Sequence, residues 1–307
     1  MTDSQFMRMT KRLIRTSTLG ALVLLGFAAA PAFPQSYSAK DCPSCAAWNA
    51  PHAPVRLFGN TYYVGTDGLS ALLITSSSGH ILLDGGLPES APLIARNIEA
   101  LGFRLRDVKL ILNSHDHYDH AGGIAELARV SGATVAASPS SAATFRAGRS
   151  GPSDPQFAMI LPFPKVSQVQ VIADGDTLRV GPLAVVAHFT PGHTAGGTSF
   201  VWRSCEAERC LDMVYADSQT PISDDTFRYA GDPRYPTATA DFARGHALLE
   251  RLRCDVLITP HPGASQLWER LASGPSGLID SGACARYAAS ARAALAKRLE
   301  TERTRKP

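Results

Sequence analysis

The chain has 307 residues, 45% hydrophobic and 19% charged, a balance that allows a large buried core and excludes a disordered or fibrous polymer. Its formal net charge of +3 comes from the N-terminus, where Arg8, Lys11, Arg12 and Arg15 stand against one acidic residue, Asp3. Beyond residue 32 the chain is close to neutral, so its charge predicts neither nucleic acid nor an anionic membrane surface as a partner.

The basic stretch is followed by the apolar run Leu19 to Ala29 and by Ala30-Pro31-Ala32. Residues 1–32 therefore read as an export signal peptide with an A-x-A cleavage site. The apolar run is too short for a stable membrane anchor, and the mature protein is expected in the periplasm or outside the cell. Residues 33–47 read as an N-terminal segment.

From Asn60 onward strand-like and helix-like stretches alternate. Strands are predicted at Thr61 to Val64, Ser70 to Thr75 and, after a Ser-Ser-Ser-Gly turn, His80 to Asp84. Glu89 to Leu101 has helical apolar spacing through Leu93, Ile94, Ile98 and Leu101. Val108 to Leu112 reads as a buried strand, and Ala121 to Val130 as a helix, so residues 115–120 are expected on the loop between them. Arg146 to Val171, rich in Pro, Ser and Gly, reads as a long loop, a frequent place for a functional lid. Its stretch Arg146 to Pro164 offers Phe157 and Ile160 as apolar contacts for a substrate. Further strands follow at Leu178 to Val180, Leu183 to His188, Thr198 to Trp202, Met213 to Ala216 and Val256 to Thr259, with helices near Thr239 to Leu252 and Ala283 to Glu302. Strands followed by helices, twice over, predict two halves that each pack a sheet against helices.

Six cysteines, an even number in an exported chain, favour disulfides, with fifteen pairings open. Cys205 and Cys210 can staple a hairpin, and Cys254 with Cys284 can tie the last strand to the last helix, which leaves Cys42 and Cys45 for each other. Cys42-Pro43-Ser44-Cys45 also matches a redox C-x-x-C or half a zinc site, but neither a βαβ unit nor a second C-x-x-C accompanies it.

The run His115-Asp116-His117-Tyr118-Asp119-His120 carries the chemistry. Imidazoles and carboxylates crowded on one loop repel or stay unsatisfied unless a cation gathers them. His115 and His117 can turn to one ion, while Asp119 and His120 are displaced far enough to serve a second. A catalytic zinc takes about three protein ligands and keeps a position for water, so each ion lacks a donor. His193 in Pro191-Gly192-His193-Thr194 and His261 in Pro260-His261-Pro262-Gly263 both follow strands, where grafted sites tend to lie. His52, His80, His188 and His246 read as surface or helix residues without a role.

The H-x-H-x-D-H run resembles that of the metallo-β-lactamase superfamily. So does the order of Asp84-Gly85-Gly86, the run, Pro191-Gly192-His193-Thr194, Ala216-Asp217-Ser218 and Pro260-His261-Pro262-Gly263. Val214 to Thr220, Pro260 to Ser265 and the two late cysteines make the chain similar to class B, subclass 3 metallo-β-lactamases. The resemblance implies an α/β fold, an αββα sandwich of two mixed β-sheets flanked by helices, with residues 48–307 as the catalytic domain. It implies two Zn2+ per chain, one on His115, His117 and His193 and the other on Asp119, His120 and His261. Asp119 would also act catalytically by orienting the nucleophile, and Ser218 and Thr220 would bind the substrate carboxylate, with Ser218 where relatives have a cysteine ligand. Asp84 is either an orienting partner of a ligand histidine or an ordinary strand-end turn residue.

The activity implied is hydrolysis of the β-lactam amide by a hydroxide shared between the zinc ions, in a monomer whose partner is a small-molecule β-lactam. Gln219, where relatives often carry Leu, and Asp67, where some carry Cys, depart from the pattern. A thioesterase or lactonase of the same superfamily, with Asp217 bridging both metals, is the alternative. An iron redox protein and a non-catalytic zinc binder are further readings, disfavoured by the histidine-rich donor set and the three-ligand count.

Overall fold

Seven strands, β1 (Val55–Phe58), β2 (Thr61–Tyr63), β3 (Leu72–Ile74), β4 (His80–Leu83), β5 (Val108–Leu112), β6 (Thr134–Ala137) and β7 (Val169–Val171), lie side by side in that order in the computed structural model, which describes residues 40–274 and 276–304. The first four pair antiparallel and β4 to β7 pair parallel. A second sheet holds β8 (Thr177–Val180), β9 (Leu183–Phe189), β10 (Thr198–Glu206), β11 (Arg209–Tyr215) and β12 (Val256–Ile258), antiparallel except for the parallel pair β11 and β12. The predicted signal peptide lies outside the described residues.

The helices are α1 (Cys45–Trp48), α2 (Ala91–Ala100), α3 (Tyr118–Ala121), α4 (Ile124–Ser131), α5 (Pro139–Ala147), α6 (Ala238–Arg251), α7 (Leu267–Ala272) and α8 (Ala283–Thr304). Alternation along single strands shows how the layers stack. Ile81 and Leu83 of β4 and Leu110 and Leu112 of β5 meet Val185, Phe200, Trp202, Met213 and Tyr215 from the second sheet. Leu82 and Ile111, between them in sequence, instead meet Ile94, Ile98, Ile124, Leu127 and Phe145 of the helices. On the far side Val214 and Leu257 face Leu249, Ala283 and Ala288 of α6 and α8. Helices thus cover both outer faces, an αββα sandwich as expected, and Ile81 to Leu83 of β4 and Leu110 to Leu112 of β5 read as apolar runs without alternation because both their faces are covered. Each fully buried Leu contributes roughly 1.5–3 kcal/mol relative to exposure, which makes this double-sided packing the main source of stability.

Three disulfides join Cys42 to Cys45, Cys205 to Cys210 and Cys254 to Cys284. No described helix is long and apolar enough to cross a membrane.

Local differences from the expectation concern the segments around the site. The helix after β5 begins inside the histidine run, so Tyr118, Asp119 and His120 form its first turn as α3, and Gly122-Gly123 separates it from α4. Those glycines are required by contact, since a Cβ on Gly123 would lie 2.2 Å from the carbonyl of Gly85. Such closeness lets Gly85 donate its N–H to His120 O at 2.8 Å and seats the run against the end of β4. The stretch 146–171 is not all loop, because its ends belong to α5 and to edge strand β7. β1, β6 and α5 were not predicted; Val135 to Ala137 of β6 is a short apolar stretch without alternation, since it too is covered on both faces.

Candidate metal centre

At the end of β4 the chain turns through Asp84, which takes a left-handed φ of 60°, a conformation that Asp tolerates better than most residues. Its buried carboxylate accepts from Ser114 N at 2.7 Å, Ser114 Oγ at 2.6 Å, Asn113 Nδ2 at 3.0 Å and, from the second sheet, Tyr215 Oη at 2.7 Å. Burial pushes this carboxyl up against the lowering effect of nearby His120 and of these donors. Asp84 has no hydrogen bond to a histidine among the described residues. It fixes the two residues that lead into the run.

Beyond Ser114 the donors gather into two trios, His115 with His117 and His193, and Asp119 with His120 and His261. Within each trio one potential ligand atom per residue lies within 4.8 Å of the others. The trios adjoin, with 4.3 Å between the ring centroids of His115 and His120. The structure brings all six predicted donors together, from the run, from the turn after β9 and from the turn after β12. Asp116, the remaining acid of the run, turns away and accepts from Ser141 Oγ at 2.8 Å on α5.

The second nitrogen of four histidines is committed elsewhere. Asp217 Oδ1 lies 2.8 Å from His115 Nδ1, Asp154 Oδ2 lies 3.0 Å from His117 Nε2, and the carbonyl of Thr220 lies 2.8 Å from His193 Nδ1. The carbonyl of Gly68 lies 3.2 Å from His261 Nδ1. These bonds leave Nε2 of His115, His193 and His261 and Nδ1 of His117 for a metal. His115 Nε2 and His120 Nδ1 are buried with no hydrogen-bond partner among the described residues, and His120 Nε2 has only the carboxylate of Asp119, at 3.3 Å. Buried nitrogens without partners are costly, and a cation among them satisfies each, so the donor set fits a metal. Imidazole with one carboxylate suits zinc better than it suits Mg2+ or Ca2+.

Electrostatics divide the imidazoles: His115 and His193 are held neutral, whereas His117 and His261, lowered by burial, are raised overall by Asp154 and Asp119 respectively. Burial, then the neighbouring histidines, hold His115 well below the ordinary imidazole range, and burial with His117 lowers His193 to about 3. For Asp119 burial acts upward but is outweighed by His120 and His261, which hold the carboxyl well below its usual range. Its Oδ2 lies 3.3 Å from Nε2 of both histidines.

Ser218 is buried, whereas Thr220 is exposed beside the carbonyl that holds His193. Gln219 turns inward, donating to Thr190 O at 3.1 Å. Phe157 is half-buried with the Arg149 guanidinium 5.6 Å from its ring centroid, and Ile160 packs on the helix-covered core. His80 and His246, expected at the surface or on a helix, are both buried, His246 on α6. Sequence reasoning missed Asp154 and Gln156, which approach His117 and His193 from the Pro-rich stretch, and no spacing pattern marks them. Asp217 was noted only as a possible bridge. Its residue type between Ala216 and Ser218, at a strand end, was the available signal.

The sequence model of the Metallo-beta-lactamase superfamily matches residues 64–261. Among solved structures, the Rm3 metallo-beta-lactamase is 54% identical with a TM-score of 0.84, covering 86% of this chain and 99% of that one. MEM-A1, a subclass B3 metallo-beta-lactamase isolated from a soil metagenome library, is 50% identical with a TM-score of 0.83, covering 84% and 100%. Hydroxyacylglutathione hydrolase of Bradyrhizobium sp. (strain ORS 278) is 33% identical over 130 residues, 42% of this chain and 41% of that protein. The chain thus spans less than half the length of this and similar curated relatives. Fold, donor pattern and family match agree, and the chain belongs to the metallo-beta-lactamase superfamily, with its structural likeness on the side of subclass B3.

Proposed function

We propose that the protein is a di-zinc β-lactamase that hydrolyses the cyclic amide of β-lactam antibiotics, with one zinc on His115, His117 and His193 and the other on Asp119, His120 and His261. The observation that carries this reading is the pair of adjoining three-donor clusters, buried and rich in unpartnered nitrogen. Bound zinc supplies Lewis acidity toward a carbonyl and lowers the pKa of water to near 7.

The protein's own groups do the rest. Asp217 holds the ring of His115, so this donor needs little reorganisation. Asp119, kept ionised by its two histidine neighbours, orients the attacking water and accepts its hydrogen bond. Ser218 and Thr220 bind the substrate carboxylate. The likeness to subclass B3 enzymes at 50 and 54% identity over nearly their whole length supports the β-lactam as substrate.

Asp217 argues against the thioesterase or lactonase reading. Its Oδ1 is engaged behind His115 and it belongs to neither trio, whereas that reading needs it between the metals. The three disulfides favour an oxidising compartment, and we place the mature enzyme in the periplasm or outside the cell as a monomer. The test is hydrolysis of a carbapenem by the purified mature protein with and without a chelator. Turnover that is abolished by chelation and restored by zinc is expected, with two zinc per chain by elemental analysis. Intact penicillins and carbapenems beside a cleaved thioester or lactone would overturn the substrate assignment.

A further inference from the structure

The Pro-rich stretch between α5 and β7 contributes one side chain whose placement is expensive. Asp154 is 5% exposed, and no Lys or Arg forms an ion pair with it among the described residues. A buried carboxylate without such a partner is costly. Its Oδ2 instead accepts from His117 Nε2 at 3.0 Å, across 37 residues of sequence, and its Oδ1 accepts from Gln156 N at 2.7 Å. Gln156 Nε2 in turn lies 3.3 Å from His193 Nε2.

The stretch is itself fastened. Asp154 N donates to Gly151 O at 2.9 Å, Asp224 N donates to Pro155 O at 2.9 Å, and Ala158 N donates to Asp224 Oδ2 at 3.2 Å. Asp224 spends its other oxygen on the backbone of Thr226 and Phe227. One turn of chain is thereby pinned between residues 224–227 and His117 of the first trio, while the Gln156 contact is to the nitrogen of His193 that a metal would take.

Resting on the di-zinc reading, we propose that Asp154 is a positioning residue for the first zinc: its carboxylate holds His117 in the tautomer whose Nδ1 is free for metal, and ties residues 150–160 to that site. The group does not touch substrate. It acts through His117, and the stretch expected to be a lid becomes a wall whose closure is linked to the metal. A carboxylate on the outward nitrogen also makes the imidazole a stronger donor.

The experiment is zinc titration of metal-free wild type, Asp154→Ala and Asp154→Asn against a chromophoric chelator. Co2+ titration followed by visible absorption, and trypsin cleavage after the exposed Arg149 with and without zinc, accompany it. The expected result for Asp154→Ala is one binding step weakened about 10–100-fold and the other changed by less than about twofold. An altered Co2+ spectrum and cleavage after Arg149 that zinc no longer suppresses are expected with it. Asp154→Asn keeps the shape and an acceptor for His117 Nε2–H, so its loss is expected to be smaller, and it carries the test if the alanine variant does not fold. Unchanged affinities and spectra in the variants overturn the proposal. So does equal weakening of both steps with a lower melting temperature of the metal-free protein, which would mark a packing role. A wild type that binds no zinc would instead refute the di-zinc reading itself.

Discussion

Each histidine of the first trio turns its second nitrogen to a partner inside the protein, and two of those partners are buried carboxylates. In the second trio His261 leans on one backbone carbonyl, its side chain is 33% exposed, and His120 has no partner outside the trio, only Asp119 within it. On the proposed di-zinc reading, the first cluster is the better held in advance of a metal and the second would owe more of its order to it. Donors held by outer groups bind more tightly because less freedom is lost on binding.

The largest expected effect tests that asymmetry directly. His115→Ala should lower β-lactam turnover by more than the roughly 10–100-fold typical of outer partners, and should remove the tighter zinc step. His261→Ala should leave the tighter step in place. Calorimetric zinc titration of both variants checks this, and loss of the tight step in His261→Ala would reverse the order of the two sites.

Gradual chelation of the wild type should release one zinc well before the other, at least about tenfold apart in affinity if outer carboxylates have their usual effect. Two zinc ions leaving together would break the comparison. A smaller effect is expected from Cys42→Ser with Cys45→Ser. That disulfide is buried beside Tyr118 and precedes Trp48, whose ring lies 5.1 Å from that of His261. Trp48 O accepts from Gly68 N at 3.1 Å and Thr66 Oγ1 at 2.7 Å, which steadies the turn bearing the carbonyl under His261. The double variant should weaken only the looser zinc, by less than about tenfold. A change confined to the tighter zinc would show that the N-terminal segment supports the other half.

The smallest expected effect is on acid stability. His246, buried on α6 against Phe242, is lowered to about 4 by burial and then by Arg292. Its folded pKa lies below the ordinary value of 6.5, so the unfolded chain binds the proton more readily. The stability associated with the neutral ring is full above pH 6.5 and falls as the pH drops toward 4. Each unit in that window corresponds to about 1.4 kcal/mol, or roughly 3–6 °C in melting temperature for a domain of this size. His246→Gln should flatten this slope, as scanning calorimetry of the metal-free proteins between pH 7 and pH 5 would show. An unchanged slope would rule out His246 as an acid-sensitive group of the fold.

The two sheets were largely legible because β4, β5 and β12 are short apolar runs between turn residues, and the ordering of the chemistry-bearing turns along the chain carried the family. What stayed hidden is the support of the site. Asp154 sits in a stretch without periodicity, and its role exists only where residues 151–158 fold back on His117. The start of α3 inside the run was equally invisible, since it depends on Gly123 meeting the backbone of Gly85 rather than on any helix signal. Donors announce themselves by residue type, while the groups that hold them are defined by tertiary contact.

Asp84 has a consequence for the order of assembly. Its carboxylate joins Ser114, at the mouth of the histidine run, to Tyr215 of the other sheet. A chain with only the first sheet formed has four of the six donors on one loop, yet neither trio is complete, because His193 and His261 arrive with the second sheet. On the proposed reading, neither zinc site is complete before the two sheets dock. By mass action zinc would then stabilise the docked sandwich over a chain whose sheets are apart.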